Sequence, residues 1–178
     1  MPRESRAAYS PRHGSADGGA ANCAFCGIVS SGMPSKDAAT PGAPVPEASA
    51  REVFRSDDFV AFLDTHPVFP GHVLMVPTRH VQTYDELPVE LAEPWLRTSQ
   101  ALQRAVESAM NAEGSLLIVN NVVSQSVPHL HLHVIPRSRG DGLRFWLGPR
   151  HAYSSADEAD AVAARIRAAL DFDHPRPA

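Results

Sequence analysis

The chain has 178 residues, 43% of them hydrophobic, and a formal net charge of −4. That length suits one domain with a core of its own. The acidic balance gives no reason to expect a nucleic-acid partner, which usually selects a basic face. No apolar stretch reaches membrane-spanning length, so no membrane partner is expected either.

Residues 1–20 are rich in Ser, Gly, Ala, Arg and Pro and lack the apolar run of a secretory signal. They read as a disordered tail. Cys23 and Cys26 are too few and too close for a disulfide framework, so a reducing, cytoplasmic setting is expected. They lie in a short apolar island, Cys23-Ala24-Phe25-Cys26-Gly27-Ile28-Val29. Such an island between loops needs an anchor, and the cysteine pair is the candidate for it. Residues 31–50 contain Pro34, Pro41, Pro44 and Pro46 and read as a long extended loop.

From Arg51 the density of structure rises. Residues 53–55 and 59–63 read as strands around a Ser56-Asp57-Asp58 turn. Phe69-Pro70-Gly71 reads as a turn, and 72–76 as a strand ended by Pro77. The main helix is expected over 87–112, with Trp95, Leu102, Val106 and Ala109 on one face. Pro94 belongs in its first turn, and Gly114 just past its end. Residues 115–120 read as a strand, and 128–136 contain another. A late helix over 156–170 starts at a Ser155/Glu158 capping pair, with Ala159, Val162, Ile166 and Leu170 as its apolar stripe. Residues 171–178 remain as a tail. Strands, a helix, strands and a late helix argue for an α+β domain around an antiparallel sheet.

The strongest feature is Pro128-His129-Leu130-His131-Leu132-His133-Val134-Ile135-Pro136. In extended chain, alternate side chains take opposite faces, so the three histidines share one face and Leu130, Leu132 and Val134 the other. Three readings compete. One is a solvent-facing strand, one a metal site, and one nucleophilic catalysis by the central imidazole beside a phosphate. Ser124-Gln125-Ser126 just upstream offers donors suited to phosphate oxygens, and nothing acidic lies near in sequence to balance a catalytic metal. Neutral imidazole is a competent phosphoryl acceptor near neutral pH. The third reading is therefore favoured.

The run from Gln125 through Ile135 resembles the signature of the histidine-triad (HIT) family, His-φ-His-φ-His-φ-φ with φ apolar. Phe62-Leu63-Asp64 resembles that family's nucleoside-binding strand. Gly71-His72-Val73-Leu74-Met75-Val76-Pro77 with His80-Val81 resembles its Gly-His motif, and Cys23-Ala24-Phe25-Cys26 the N-terminal pair of many bacterial members. The likeness covers residues 21–170. It implies an antiparallel five-stranded sheet with a long central helix and a C-terminal helix.

By that resemblance, His131 attacks an α-phosphate and forms a nucleotidyl-histidine intermediate, which water resolves. His133 binds the same phosphate, and Ser126 and Gln125 hold it and help the leaving group depart. Asp64 accepts from the ribose hydroxyls, although an aspartate at a strand end also suits a turn cap. Phe25, Ile28, Phe62 and Leu63 line the base pocket, and Asn120 or Asn121 matches a phosphate-side asparagine. The loop before Gln125 is shorter than the family's common form and lacks its glycines.

Cys23, Cys26, His80 and His129 would hold a structural Zn²⁺, two sulfurs and two nitrogens suiting a closed tetrahedral site. His72 reads as a hydrogen-bonding residue. The resemblance also implies a purine nucleotide substrate and a homodimer. Hydrolysis of nucleoside phosphoramidates or related adenylates is the first expected activity. Cleavage of dinucleoside polyphosphates or nucleotidyl transfer is the second, and a non-catalytic nucleotide-binding scaffold the third. The segment from Gly142 to Trp146 is a candidate for covering the site.

Overall fold

A computed structural model describes residues 20–31, 51–143 and 152–170. The expected tails at 1–19 and 171–178, nearly all of the proline-rich loop, and residues 144–146 of the covering segment lie outside the described residues.

Strands β1 (Glu52–Arg55), β2 (Phe59–Leu63), β3 (Val73–Pro77), β4 (Gly114–Val119) and β5 (Leu132–Arg137) form one sheet in the order β1-β2-β3-β5-β4. Every neighbouring pair is antiparallel. Helix α1 (Ala24–Ser31) precedes the sheet, α2 (Ala92–Met110) connects β3 to β4, and α3 (Ala156–Ala168) follows β5. The expected α+β architecture is thus the observed one.

Both sheet faces are covered in the middle of the sheet, which explains why β2 and β3 read as continuous apolar runs rather than alternating ones. Phe59, Ala61, Val73, Met75, Leu132 and Val134 face α2, where they meet Leu91, Trp95, Leu102 and Val106. Phe59 and Trp95 pack edge to face at 5.7 Å. Val60, Phe62, Leu74 and Val76 point the other way and pack with Cys23 and Phe25 around α1. Phe59, Met75 and Leu130 are wholly buried, each stabilising the fold by ~1.5–3 kcal/mol through removal of apolar surface from water.

The expected helix over 87–112 is shorter and starts later. Two 3₁₀ turns, Tyr84–Glu86 and Val89–Leu91, lead into α2, and Pro94 sits in its first turn, where it removes no internal hydrogen bond. The helix ends not at Gly114 but at Asn111, which takes the left-handed conformation (φ 50°) and returns its N–H to Glu107 and Ser108 carbonyls. Asparagine tolerates that conformation, so Gly114 is released to begin β4. Ala109 is exposed rather than on the buried face, where Ser99 takes a place instead.

The island 23–29 proves to be mostly helix, too short for periodicity to reveal. Helix α3 is capped by Ser155, whose hydroxyl accepts from the Glu158 N–H at 3.1 Å. The Glu158 carboxylate bonds Ser154 instead of completing the box. Of its expected stripe, Ala159 and Val162 are half-buried, but Ile166 and Leu170 are exposed.

Gly71 opens the turn into β3 at φ 89°, and a Cβ there would lie 2.4 Å from Met110 Cγ. Gly71→Ala should therefore lower stability by about 1–3 kcal/mol, measured by urea unfolding. Adding Met110→Ala should recover only the steric part, because the backbone strain remains.

Candidate functional site

The three histidines reach one face of the sheet, but only His133 belongs to a strand. His129-Leu130-His131 is an extended lead-in to β5, tied to the chain beyond β3 by the Leu130 N–H to the Val81 carbonyl at 2.6 Å. Alternation still operates: Leu130 and Leu132 enter the α2 core, while His129 and His131 are buried against Phe25 of α1. His133 sits opposite Leu74 in the β3–β5 ladder, on the same side as Phe62.

The hydrogen bonds fix a proton on each ring. His131 Nδ1 lies 2.7 Å from the His129 carbonyl oxygen. A carbonyl can only accept, so Nδ1 carries the hydrogen and Nε2 keeps a lone pair. The Val68 N–H donates to His72 Nδ1 at 3.3 Å, which leaves His72 Nε2 to donate to His133 Nδ1 at 3.0 Å. His133 Nε2 must then hold a proton. It is buried and has no partner among the described residues. Burial, followed by the neighbouring His131 and His72, holds the His133 pKa down to about 4, so the ring is neutral near pH 7. A lone pair on His131 and an unspent N–H on His133 thus adjoin, with ring centroids 4.8 Å apart.

They open onto a cavity of about 460 Å³. Its apolar wall is Ala24, Phe25 and Ile28 of α1 with Phe62, Leu63, Leu74 and Val127, and its polar parts are Asp64, Thr65, His66, Ser126, His131 and His133. Phe25 stands edge-on to Phe62 at 5.5 Å. Asp64 does cap its own turn, accepting the His66 N–H at 2.8 Å on Oδ1. Its Oδ2 lies 3.4 Å from His72 Nδ1. The expectation that nothing acidic lies near the histidines holds only along the chain. In space, Asp64, His72 and His133 form a cluster.

Thr65 and His66 were not singled out by sequence, and Ala24, Leu74 and Val127 stood in its motifs without being assigned to the cavity. Only their adjacency to Asp64, Phe25 and the β2–β3 register could have found them.

Asn120, Asn121 and Gln125 do not line this cavity. Asn121 Oδ1 accepts the Tyr84 N–H at 3.0 Å. The Gln125 amide accepts from the Val122 N–H at 3.2 Å and donates to the Gln82 carbonyl at 2.7 Å. Both side chains hold the shortened loop in place. Within it Val122 and Ser124 adopt φ of 64° and 62°, positions glycine would take without strain, at a cost of roughly 1–3 kcal/mol each.

Behind the cavity, Cys23, Cys26, His80 and His129 bring four ligand atoms within 4.8 Å of one another. The Sγ···Nδ1 separations are 3.4 Å (Cys23–His129), 3.2 Å (Cys26–His80) and 3.6 Å (Cys26–His129). Ligand bonds of about 2.3 and 2.0–2.1 Å at tetrahedral angles require roughly 3.6 Å. His129 Nε2 is 3.0 Å from the Pro77 carbonyl oxygen, so it donates there and turns an unprotonated Nδ1 toward the sulfurs, as a metal-binding imidazole must. Burial lowers the His129 pKa to about 4. Burial and the adjacent Cys23 push the Cys26 thiol up to about 11, so a cation arriving here displaces a proton. The four residues can hold a metal ion.

An α+β sheet carrying a histidine face over an apolar cavity, with a cysteine–histidine cluster behind it, defines the class. The chain belongs to the HIT family, whose HIT domain matches residues 45–140. Protein hit of Bacillus subtilis is 32% identical over 126 residues, 69% of this chain and 77% of that one. The bifunctional bis(5'-adenosyl)-triphosphatase/adenylylsulfatase FHIT of Arabidopsis thaliana is 31% identical over 71% of this chain and 68% of its own. A zinc-bound histidine triad family protein of Mycobacterium smegmatis superposes with a TM-score of 0.57 at 27% identity, over 85% of this chain and 100% of that one.

His133 is held neutral in the folded protein, whereas in the unfolded chain it protonates below about 6.5. The unfolded state therefore binds more protons between about pH 6.5 and 4, and stability falls as pH drops through that window. Urea midpoints across it should show this decline, and His133→Asn should flatten it in part.

Proposed function

We propose that the protein hydrolyses or transfers a purine nucleoside monophosphate group, acting at the α-phosphate of a phosphoramidate or related adenylate through a nucleotidyl-histidine intermediate. One observation carries the reading: the His131 Nδ1–H bond to the His129 carbonyl leaves Nε2 as a lone pair at the cavity, beside Ser126 and a His133 N–H without a partner among the described residues.

His131 Nε2 attacks phosphorus. The N–P bond forms, and the bond to the leaving group breaks with its electrons. The leaving group takes a proton from the Ser126 hydroxyl, which lines the same cavity. The imidazole then carries positive charge, and its Nδ1–H points at a carbonyl oxygen that stabilises it. His133 Nε2–H donates to a phosphate oxygen. Water next attacks phosphorus and breaks the N–P bond, its proton replaces the one Ser126 gave up, and His131 returns to its starting state.

Asp64 keeps Oδ2 lone pairs for ribose hydroxyls while Oδ1 holds its turn, and Phe25, Ile28, Phe62 and Leu63 receive the base. Gln125 and Asn121 act by shaping the rim, and Asn120 adjoins it. The activities named for the Arabidopsis relative support both an adenylate and a dinucleoside polyphosphate as substrates to test.

For the metal cluster we propose structural zinc, supported by its two-sulfur, two-nitrogen donor set and by the zinc-bound relative. We further propose a homodimer, working in the cytoplasm. The β4 edge of the sheet, with Leu117 exposed on it, and the exposed Leu96 and Met110 of α2 favour the dimer.

Wild-type protein should release AMP from an adenosine phosphoramidate or from diadenosine triphosphate, and His131→Ala should lose about 10³-fold or more of that rate. Ser126→Ala should lose roughly 10²-fold. Release from neither substrate would reject the reading, and undiminished release by His131→Ala would reject the nucleophile. Elemental analysis should find about one zinc per chain, lost in Cys23→Ser.

A further inference from the structure

Helix α1 belongs to two sites at once. Cys23 just before it and Cys26 within it supply both sulfurs of the cluster, while Ala24, Phe25 and Ile28 form a wall of the cavity. The buried Phe25 ring stands edge-on to His129 at 6.0 Å and to His131 at 5.3 Å. His129 is shared in the same way. Its imidazole faces the sulfurs, and its carbonyl holds His131 Nδ1. An eight-residue helix is not stable on its own hydrogen bonds, so α1 is held by its packing on Val60, Phe62, Leu74 and Val76 and is further restrained by whatever binds on either side.

From these shared residues we infer that metal ligation at Cys23, Cys26, His80 and His129 and nucleoside monophosphate binding in the cavity are thermodynamically coupled, each tightening the other through α1 and His129. The inference rests on the nucleotide reading of the cavity. A bound metal fixes Cys23 and Cys26 against His129, and so fixes the Phe25 ring against His131. A base seated on Phe25 and Ile28 restrains the same helix from the opposite side. The freedom that α1 keeps on that packing is lost once, to whichever ligand arrives first, and the second binds the more restrained form. Linkage makes the effect reciprocal: the factor by which AMP raises zinc affinity equals the factor by which zinc raises AMP affinity.

The test is a competition titration of the zinc-loaded protein against a chromogenic chelator, with and without saturating AMP, alongside calorimetry of AMP binding before and after zinc removal. AMP should raise the apparent zinc affinity about fivefold or more, and zinc removal should weaken AMP binding in kind. Ribose 5-phosphate, which has no base to rest on α1, should protect zinc much less. Phe25→Ala should keep its zinc and lose most of the AMP effect. Zinc affinity unchanged by AMP, in protein that binds AMP, overturns the coupling and leaves the nucleotide reading standing. Zinc-loaded protein that binds no AMP overturns both. The competition arm uses the intact zinc protein, so it decides the matter even where the metal-free form unfolds.

Discussion

Along residues 129–134 the extended backbone sends Leu130, Leu132 and Val134 beneath α2 and His129, His131 and His133 to the opposite face, and neither set can shift without the other. A slip of one residue would turn the leucines toward the cavity and the cysteines and drive the imidazoles into an apolar core. The packing of α2 against the sheet therefore fixes where the imidazoles stand. The rest of the site is then assembled around them by β3, which brings His72 to His133, and by α1, which brings Phe25 to His131.

The imidazoles differ through their second ring nitrogens. His129 is held by the Pro77 carbonyl, His131 by the His129 carbonyl, and His133 by His72. Backbone carbonyls make two of these assignments, which no side-chain substitution can remove directly. The third depends on a histidine 61 positions away, whose own tautomer is set by the Val68 N–H. One strand motif thus yields a ligand-ready ring, a ring with an open lone pair and a ring with an open N–H.

Much of this was legible in the sequence. The strands at 59–63 and 72–76 (the latter offset by one residue from β3, which takes in Pro77), the α2 stripe of Trp95, Leu102 and Val106, and the alternating histidines each declare themselves within a few residues, because local geometry dictates their pattern. The resemblance of four ordered blocks pointed to the Cys23, Cys26, His80 and His129 grouping, which side-chain spacing alone could not. The misses share a different cause. Helix α1 is shorter than the window that periodicity needs. Asn111 displaced Gly114 as the helix end because two residues suited the same role and only the β4 pairing chose between them. The approach of Asp64 to His72, and the diversion of Asn121 and Gln125 to backbone partners at Tyr84 and Gln82, are contacts between distant parts of the chain that no local pattern encodes.

The loop at 121–125 reverses without glycine, holding Val122 and Ser124 in the left-handed region and bracing itself through Asn121 and Gln125. A glycine-bearing loop of ordinary length samples many shapes and can fold over whatever arrives. This one has few shapes available, and its exposed Val122 and Val123 present an apolar edge rather than free amides. The segment leading to Ser126 is therefore a braced reversal rather than a glycine hinge. Were the cavity to take a nucleotide as proposed, its leaving group would meet that braced backbone beside Ser126 and not a glycine hinge.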